Sequence, residues 1–229
     1  MIYIILIMFL LIFVYYCRKN KIKINFKTFF KKGVYVTRGT WGVMVFSGRQ
    51  GQGKTTAIVE YLKDHSKDIE IFCNIKDIRG LDYTYYEGFD NLLSIKKLLD
   101  NREKKKKQKQ IVIVYDEIFT QLDKHSKLNR DVIDFLCQMR KRKIIFLTSC
   151  QCWAELPLTF RRFCRYEIEC SIISIFPISI LKRVYHDAEN MIWDSDLQDF
   201  VAPILNTTFS KYRKEIANSF DTYALIKNN

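Results

Sequence analysis

The chain has 229 residues, of which 48% are hydrophobic, so it can form one α/β domain with a single core beside an apolar N-terminal segment. Its 38 basic and 25 acidic side chains give a net charge of +13, which favours an anionic partner, either nucleic acid or a lipid headgroup surface. The seven cysteines have no C-x-x-C spacing, which argues against a zinc ribbon or a thioredoxin motif and favours reduced thiols in a cytosolic domain.

Residues 1–17 contain no charged side chain and are almost wholly aliphatic or aromatic. A helix of this length is about 25 Å long, which is within the range of transmembrane helices. A cationic segment without acidic residues follows, with Arg18, Lys19, Lys21, Lys23, Lys27, Lys31 and Lys32. We therefore predict an uncleaved transmembrane anchor at residues 1–17 and a basic juxtamembrane linker at residues 18–41, with the C-terminal side in the cytoplasm. The alternatives are a buried core helix for the apolar segment and DNA contacts for the cations.

Residues 42–47 predict a first core strand, and a helix is predicted to run to about residue 65. The loop between them reads Gly48-Arg49-Gln50-Gly51-Gln52-Gly53-Lys54-Thr55, a complete G-x-x-x-x-G-K-[ST] phosphate loop. Its glycines allow backbone N–H groups to point at phosphates, and the helix N-terminus adds positive potential. Lys54 is predicted to reach the β- and γ-phosphates, and Thr55 to bind Mg²⁺. The predicted ATP-binding residues are therefore Gly48, Arg49, Gln50, Gly51, Gln52, Gly53, Lys54, Thr55 and Thr56. The alternative is a chance match in a glycine-rich turn, which the strand–loop–helix context disfavours.

The next segments are less specific. Residues 69–73 predict a second parallel strand, and residues 91–101 an amphipathic helix. A lysine run at residues 104–107, extended by Lys109, predicts a solvated loop, with a nucleic-acid contact as the alternative.

A continuous apolar run at residues 111–115 predicts a strand that is covered on both faces and ends in Asp116-Glu117. Downstream of a phosphate loop this is a Walker B pattern. Asp116 is predicted to hold Mg²⁺, and Glu117 to orient and deprotonate the attacking water. The alternative is a strand that ends at an ordinary acidic turn.

A helix is predicted at residues 129–141, followed by a strand at residues 144–148 that leads to Gln151. Because this strand lies beside the Walker B strand, Gln151 is predicted to sense the γ-phosphate; the alternative is a polar loop residue bonded to backbone.

A further strand at residues 166–170 completes a right-handed parallel α/β sheet. Residues 171–186 are isoleucine-rich and predict edge strands, a hairpin or a subunit contact. The predicted ATPase domain covers residues 42–186, and residues 187–229 are predicted to form a helical tail.

The order of these motifs is similar to that of a known group of ATPases. In sequence, it comprises the phosphate loop, a strand ending in Asn74, Asp116-Glu117, a helix ending in Gln138-Met139-Arg140-Lys141-Arg142, and a strand closing with Thr148-Ser149-Cys150-Gln151. This order resembles the HerA–FtsK superfamily over about residues 40–170. The segments Phe160-Arg161-Arg162 and Glu167-Ile168-Glu169-Cys170 are similar to those of phage packaging and zonula-occludens-toxin-like assembly ATPases.

The resemblance implies a RecA-like P-loop NTPase fold and a homo-oligomeric ring, often a hexamer, that moves DNA without reading its sequence. It also implies an arginine that acts on the nucleotide of a neighbouring subunit. Candidates are Arg140 and Arg142, with Arg161 and Arg162 as a second pair. Proteins that resemble the filamentous-phage assembly ATPases usually carry their membrane segment after the ATPase domain, whereas here the apolar segment comes first.

We therefore predict a single-pass, membrane-anchored ATPase that hydrolyses ATP and translocates DNA during viral genome packaging or virion assembly or export. Capsid, portal or membrane-vertex proteins are predicted partners, and association with the virion is a further prediction. The alternatives are a phosphotransferase or signalling NTPase, for which no lid or acceptor motif is visible, and a membrane-tethered NTPase with a regulatory or structural role. Glu117 argues against the structural role, because nucleotide binding alone needs no water activator.

Overall fold

The computed structural model describes residues 2–19, 41–88, 91, 94–95, 109–122, 125, 127–175 and 178–221. Most of the basic linker, the lysine run at residues 104–107 and the end of the chain lie outside these ranges. So does the helix predicted at residues 91–101, apart from residues 91, 94 and 95, which are helical.

The N-terminal apolar segment forms helix α1 (Ile2–Lys19), whose large side chains are largely exposed. None of the helices in the described ranges combines the length and the apolarity that a membrane crossing requires. The predicted helix is therefore present, whereas its crossing of a membrane stays a prediction.

The rest of the described chain is built around one eight-stranded sheet. Its strands in chain order are β1 (Gly42–Ser47), β2 (Ile69–Cys73), β3 (Thr84–Tyr85), β4 (Gln110–Tyr115), β5 (Ile145–Ser149), β6 (Cys164–Ile175), β7 (Ile178–Asp187) and β10 (Ile204–Lys211). Their spatial order is β10-β7-β6-β1-β5-β4-β2-β3. The six strands from β6 to β3 are parallel, whereas β7 and β10 pair antiparallel. The predicted parallel α/β sheet is thus correct for its main part, and an antiparallel meander extends one side.

Two longer helices cover opposite faces of the sheet. Helix α2 (Lys54–His65) packs against Met44 and Phe46, whereas helix α3 (Arg130–Arg142) packs on the face that carries Val43 and Val45. Both faces are apolar because the parallel strands are covered on both sides. Each helix returns the chain to the edge at which the parallel strands begin, so the strand ends gather at the opposite, carboxyl edge.

The segment predicted as a helical tail is instead mostly β-structure in its described part, residues 187–221, whereas the predicted domain end at residue 186 stays a prediction. Strands β8 (Ile192–Asp194) and β9 (Asp199–Val201) form a separate hairpin, and β10 pairs with β7. The helical parts of this segment's described residues are short, namely a 3-10 turn at Ala188–Asn190 and helix α5 (Lys214–Ala217). The earlier helix α4 (Leu158–Arg161) is also a single short turn. Residues of types that favour strands, such as Ile204, Thr207, Thr208 and Phe209, occur in β10, and the edge of β7 provides its pairing partner.

A buried ion network fixes the phosphate-loop helix to this antiparallel extension. Glu60 on α2 is 4% exposed and accepts hydrogen bonds from Arg183 on β7 and from Arg213. Arg213 also reaches Asp64, 3.2 Å away. Because Arg183 is only 1% exposed, loss of Glu60 would leave a buried charge unpaired, which typically destabilises a protein by about 3–5 kcal/mol. The extension therefore supports the helix that follows the phosphate loop.

Candidate active site

The phosphate loop lies at the carboxyl edge, between β1 and α2. Gly48, Gly51 and Gly53 adopt φ angles of +136°, +77° and +81°, which side chains rarely tolerate. The loop is also fastened to the neighbouring strand, because Gln52 Oε1 accepts a 2.7 Å hydrogen bond from the backbone N–H of Ile172 on β6. The glycines therefore give the loop its shape, and Gln52 anchors it to the sheet.

Gly48 is the glycine that should be least replaceable. A Cβ atom there would lie 2.5 Å from the carbonyl oxygen of Cys170, which is backbone and cannot turn away. We expect Gly48→Ala to destabilise the fold by about 1–3 kcal/mol through overpacking, and to abolish measurable binding of a fluorescent ATP analogue because the loop must move.

Gly51→Ala is the matched control, because its φ is also positive but no atom lies within 4 Å of an added Cβ. It should cost about 1–2 kcal/mol for the backbone conformation and keep nucleotide binding. Thermal unfolding and nucleotide titration of both variants check this. Equal loss of binding in the two variants would contradict the role given to the Gly48–Cys170 contact.

Lys54 begins α2 with its ammonium group inside the loop. The residue is 8% exposed, and Nζ donates hydrogen bonds to the carbonyl oxygens of Gly48 at 2.8 Å and Arg49 at 3.2 Å. These bonds hold the positive charge where the loop N–H groups and the helix N-terminus also favour an anion.

Thr55 connects the phosphate loop to the Walker B strand. Its Oγ1 donates a 2.8 Å hydrogen bond to Oδ2 of Asp116, which follows β4. Ser149 Oγ, at the end of β5, donates to the other carboxylate oxygen, Oδ1. Burial raises the pKa of Asp116, while the hydrogen bonds from Ser149 and Thr55 and the charge of Lys54 oppose that rise.

The same oxygens suit a magnesium ion. Hydroxyl and carboxylate oxygens are the ligands that Mg²⁺ prefers, and the hydrogen bond places those of Thr55 and Asp116 side by side. The residues present therefore fit the predicted metal pair.

Glu117 follows Asp116 in an unusual backbone conformation. Its φ of +57° lies in the left-handed region, which is uncommon for residues other than glycine. The backbone N–H of Glu117 donates a 2.9 Å hydrogen bond to Ser149 Oγ. Burial and the neighbouring charge of Asp116 raise the pKa of the Glu117 carboxyl, which makes its carboxylate a stronger base.

Two residues that sequence reasoning did not assign to the site hold this turn from both sides. Asn74, after β2, accepts a 2.7 Å hydrogen bond from the N–H of Asp116 and donates a 3.3 Å bond to its carbonyl oxygen. Ser149, the last residue of β5, contacts both Asp116 and Glu117. Because β2 and β5 flank β4, each neighbouring strand contributes one side chain. The sequence feature that could have identified these two residues is a polar side chain at the end of each predicted strand.

The other predicted site residues have different surroundings. Arg49, Gln50 and Gln151 are exposed, and Thr56 is buried in α2. No contact of Gln151 with the site is present in the described part of the chain, so its sensor role stays a prediction.

The four arginine candidates do not share one environment. Arg161 is 2% exposed and pairs with Asp199 at 2.8 Å, so its guanidinium is engaged within its own chain, which disfavours this candidate. Arg162 is exposed. Arg140 and the half-buried Arg142 end α3 at the edge away from the phosphate loop. Their role as a trans-acting arginine stays a prediction.

A half-buried carboxyl, that of Glu167, lies close to the loop but on the other face of the sheet. Glu167 on β6 accepts a 2.7 Å hydrogen bond from Ser47, the last residue of β1, and burial raises its pKa. Ser47 continues the face of Val43 and Val45, opposite to α2. Glu167 is therefore a structural partner of β1, not part of the Thr55–Asp116 cluster.

Together, the loop, the metal pair and a Walker B strand separated from β1 by β5 form one arrangement. This is the architecture of a P-loop NTPase. No protein-family model matches the chain, and no curated protein sequence matches it either.

Solved structures with a similar fold include proteins of the kinds that the motif order resembles. The N-terminal domain of zonular occludens toxin from Neisseria meningitidis is 17% identical with a TM-score of 0.49, covering 80% of this chain and 100% of that one. The genome packaging NTPase B204 from Sulfolobus turreted icosahedral virus 2, in complex with ATP-gammaS, is 14% identical with a TM-score of 0.46, covering 72% and 98%. A KaiC-like protein from Pyrococcus horikoshii is 10% identical with a TM-score of 0.45, covering 75% and 97%.

Proposed function

We propose that this chain hydrolyses ATP to translocate DNA during viral genome packaging or virion assembly. The observation that carries the hydrolysis step is the contact between Thr55 and Asp116, with Glu117 next in the chain. It joins the phosphate loop, a metal ligand pair and a base in one cluster, which is more than nucleotide binding needs.

Each residue has a separate task in this reaction. The loop N–H groups and Lys54 bind the phosphates, and Thr55 and Asp116 hold the metal. Mg²⁺ bound there would neutralise part of the negative charge of the phosphates. Glu117 orients a water molecule and takes its proton as the water oxygen attacks the γ-phosphorus. The bond between the γ-phosphorus and the β–γ bridging oxygen breaks, so ADP leaves with that oxygen and inorganic phosphate is released. Asn74 and Ser149 keep the Asp116-Glu117 turn in place.

The DNA part of the proposal is supported by charge and by the motif resemblance. A net charge of +13 is suited to sequence-independent contacts with phosphates. A ring of subunits would place a basic residue such as Arg162 or Arg140 near the nucleotide of its neighbour, and capsid or portal proteins would receive the DNA.

DNA should therefore stimulate the ATPase activity of the full chain. We expect stimulation by random-sequence DNA that falls as salt is raised, because phosphate contacts are replaced by counterions. Steady-state phosphate release with and without DNA, together with the oligomer mass, measures this. A rate of ATP hydrolysis that is unchanged by every form of DNA tested would favour the regulatory NTPase instead.

Membrane attachment through α1 is the remaining part of the proposal. Tyr3 and Phe9 are 82% and 76% exposed, and such side chains would be covered by lipid. Flotation of the full chain with liposomes should be reduced by Leu10→Lys, since a lysine in the middle of an inserted helix costs about 3 kcal/mol. Leu205→Lys, on β10, should leave flotation unchanged. A full chain that does not float would contradict membrane attachment.

A further inference from the structure

Cationic side chains collect at the edge of the sheet opposite to the phosphate loop. Strands β6, β1, β5 and β4 are neighbours there and begin side by side, with Gly42 aligned with Ile145 and Ile145 with Val112. The residues at or just before these four strand starts include Arg162, Arg165, Arg140, Lys141, Lys143 and Lys109. We name this set the amino-edge row. All of its members are exposed except Arg165, which is half-buried.

An indole ring fixes two members of the row. Trp41, directly before β1, has the guanidinium of Arg140 at 5.3 Å and that of Arg165 at 5.0 Å from its ring centroid. Arg165 also donates a 3.5 Å hydrogen bond to the carbonyl oxygen of Trp41. The acidic partner in contact is Glu189, 3.9 Å from Arg165 and half exposed. Stacking restrains both guanidinium groups before any ligand arrives, so less entropy is lost on binding.

We propose that the amino-edge row binds the sugar–phosphate backbone of nucleic acid. Four adjacent strands span about 14 Å at their usual separation of about 4.8 Å. One strand of duplex DNA presents a phosphate about every 3.4 Å along the helix axis, so the row can face about four phosphates. Lysine and arginine contacts of this kind position a protein on DNA without reading its sequence.

The chemistry of the row favours nucleic acid over a lipid surface. Trp41 is half-buried beneath the two guanidinium groups, so it cannot insert into a bilayer in this arrangement. The charges form a line along the strand starts, which matches a linear polyanion. This inference rests on the proposed function, because it assigns the DNA-contacting surface of the same motor.

The amino-edge row is distant from the phosphate loop. The six residues of β1 separate Trp41 from Gly48, a length of about 20 Å at the rise of a strand. Changes to the lysines of the row, which have no role at the nucleotide, should therefore alter nucleic-acid binding without altering nucleotide binding, which provides an internal control for folding.

The test compares two triple variants of the full chain with the same change in charge. The first is Lys109→Gln, Lys141→Gln and Lys143→Gln, in the row. The control is Lys76→Gln, Lys211→Gln and Lys214→Gln, three exposed residues outside it. The affinity for a random-sequence DNA duplex is measured as a function of salt concentration, and binding of an ATP analogue and of phosphatidylserine vesicles is measured alongside.

We expect the slope of log affinity against log salt to fall by about two to three for the row variant, because each lost phosphate contact contributes about 0.9. The control should keep the wild-type slope, and both variants should bind the ATP analogue normally. Equal slopes for the two variants would overturn this inference alone, as would a loss of vesicle binding with DNA binding intact. A wild-type chain that binds no DNA would overturn both this inference and the proposed translocation.

Discussion

Replacing Glu117 with glutamine is expected to lower kcat for ATP hydrolysis by about 10²–10⁴-fold, the usual contribution of a general base. The dissociation constant for ATP should stay within about threefold, a change of less than 1 kcal/mol. Phosphate release under saturating ATP and titration with a fluorescent ATP analogue measure the two quantities separately.

The expected loss of kcat in Glu117→Gln follows from the position of Glu117 and not from its charge alone. The hydrogen bond to Ser149 fixes its backbone, and burial beside Asp116 raises the pKa of its carboxyl group. Glutamine preserves the size of the side chain and can still orient water through its amide oxygen. It cannot accept the proton, so the loss should appear in turnover and not in binding.

Glu167 provides a matched control for this experiment. It is also a carboxyl with a pKa raised by burial, and it also lies near the phosphate loop, but it contacts Ser47 on the other face of the sheet. Glu167→Gln should therefore retain most of the turnover, since its amide oxygen can still accept the hydrogen bond from Ser47. If Glu167→Gln were the variant that stops turnover, Glu117 would not be the base.

The strand, loop and helix that form the phosphate-loop half of the candidate site were predictable because their signals are local. The phosphate loop, the apolar run before Asp116 and the start of α2 all lie within short segments whose period and residue types indicate their structure. The bounds predicted for β1 and β2 also agree with the structure.

The hydrogen bonds by which Asn74 and Ser149 hold the Asp116-Glu117 turn, here named the frame, were not predictable from the sequence. They depend on which strands are neighbours in the sheet. Asn74 and Ser149 lie 42 and 33 positions from Asp116 along the chain and meet it only because β2 and β5 flank β4. Strand order is set by how helices and crossovers pack, so no single segment contains it.

Long-range pairing also explains the strand in the predicted helical tail and the burial of Arg161. Residues 204–211 form a strand because they pair with β7, and Arg161 is buried because β9 supplies Asp199 and the carbonyl of Phe200. In both cases the partner that decides the structure is distant in the sequence, and the local residues are compatible with another outcome.

The frame leads to the second large effect. Asn74→Ala and Ser149→Ala should each lower kcat by about 10–100-fold, the range for residues that orient metal ligands or a base from outside the first contact layer. KM for ATP should change little, because neither side chain contacts the phosphate loop. A positioning role thus predicts that kcat falls while KM for ATP stays nearly constant. Simple destabilisation of the fold would not produce this pattern.

A double-mutant cycle tests whether the two residues hold the same turn. If each one alone is needed to fix the Asp116-Glu117 turn, the double variant should lose much less than the product of the two single losses. Ser149→Ala should also raise the Mg²⁺ concentration needed for half-maximal activity, because its hydroxyl orients the Asp116 carboxylate.

Thr148→Val separates the frame from general packing of β5. Thr148 is buried next to Ser149, but its hydroxyl donates to the carbonyl oxygen of Tyr115 inside β4 and not to the turn. Valine has a similar shape, so this variant should lose about 1 kcal/mol of unfolding free energy and keep its kcat. If Thr148→Val lowered kcat as much as Ser149→Ala, activity would depend on the integrity of the strand. Thr148 and Ser149 are adjacent in β5, but only the hydroxyl of Ser149 contacts the Asp116-Glu117 turn. Equal losses of kcat in the two variants would therefore contradict a specific positioning of Asp116 and Glu117 by Ser149.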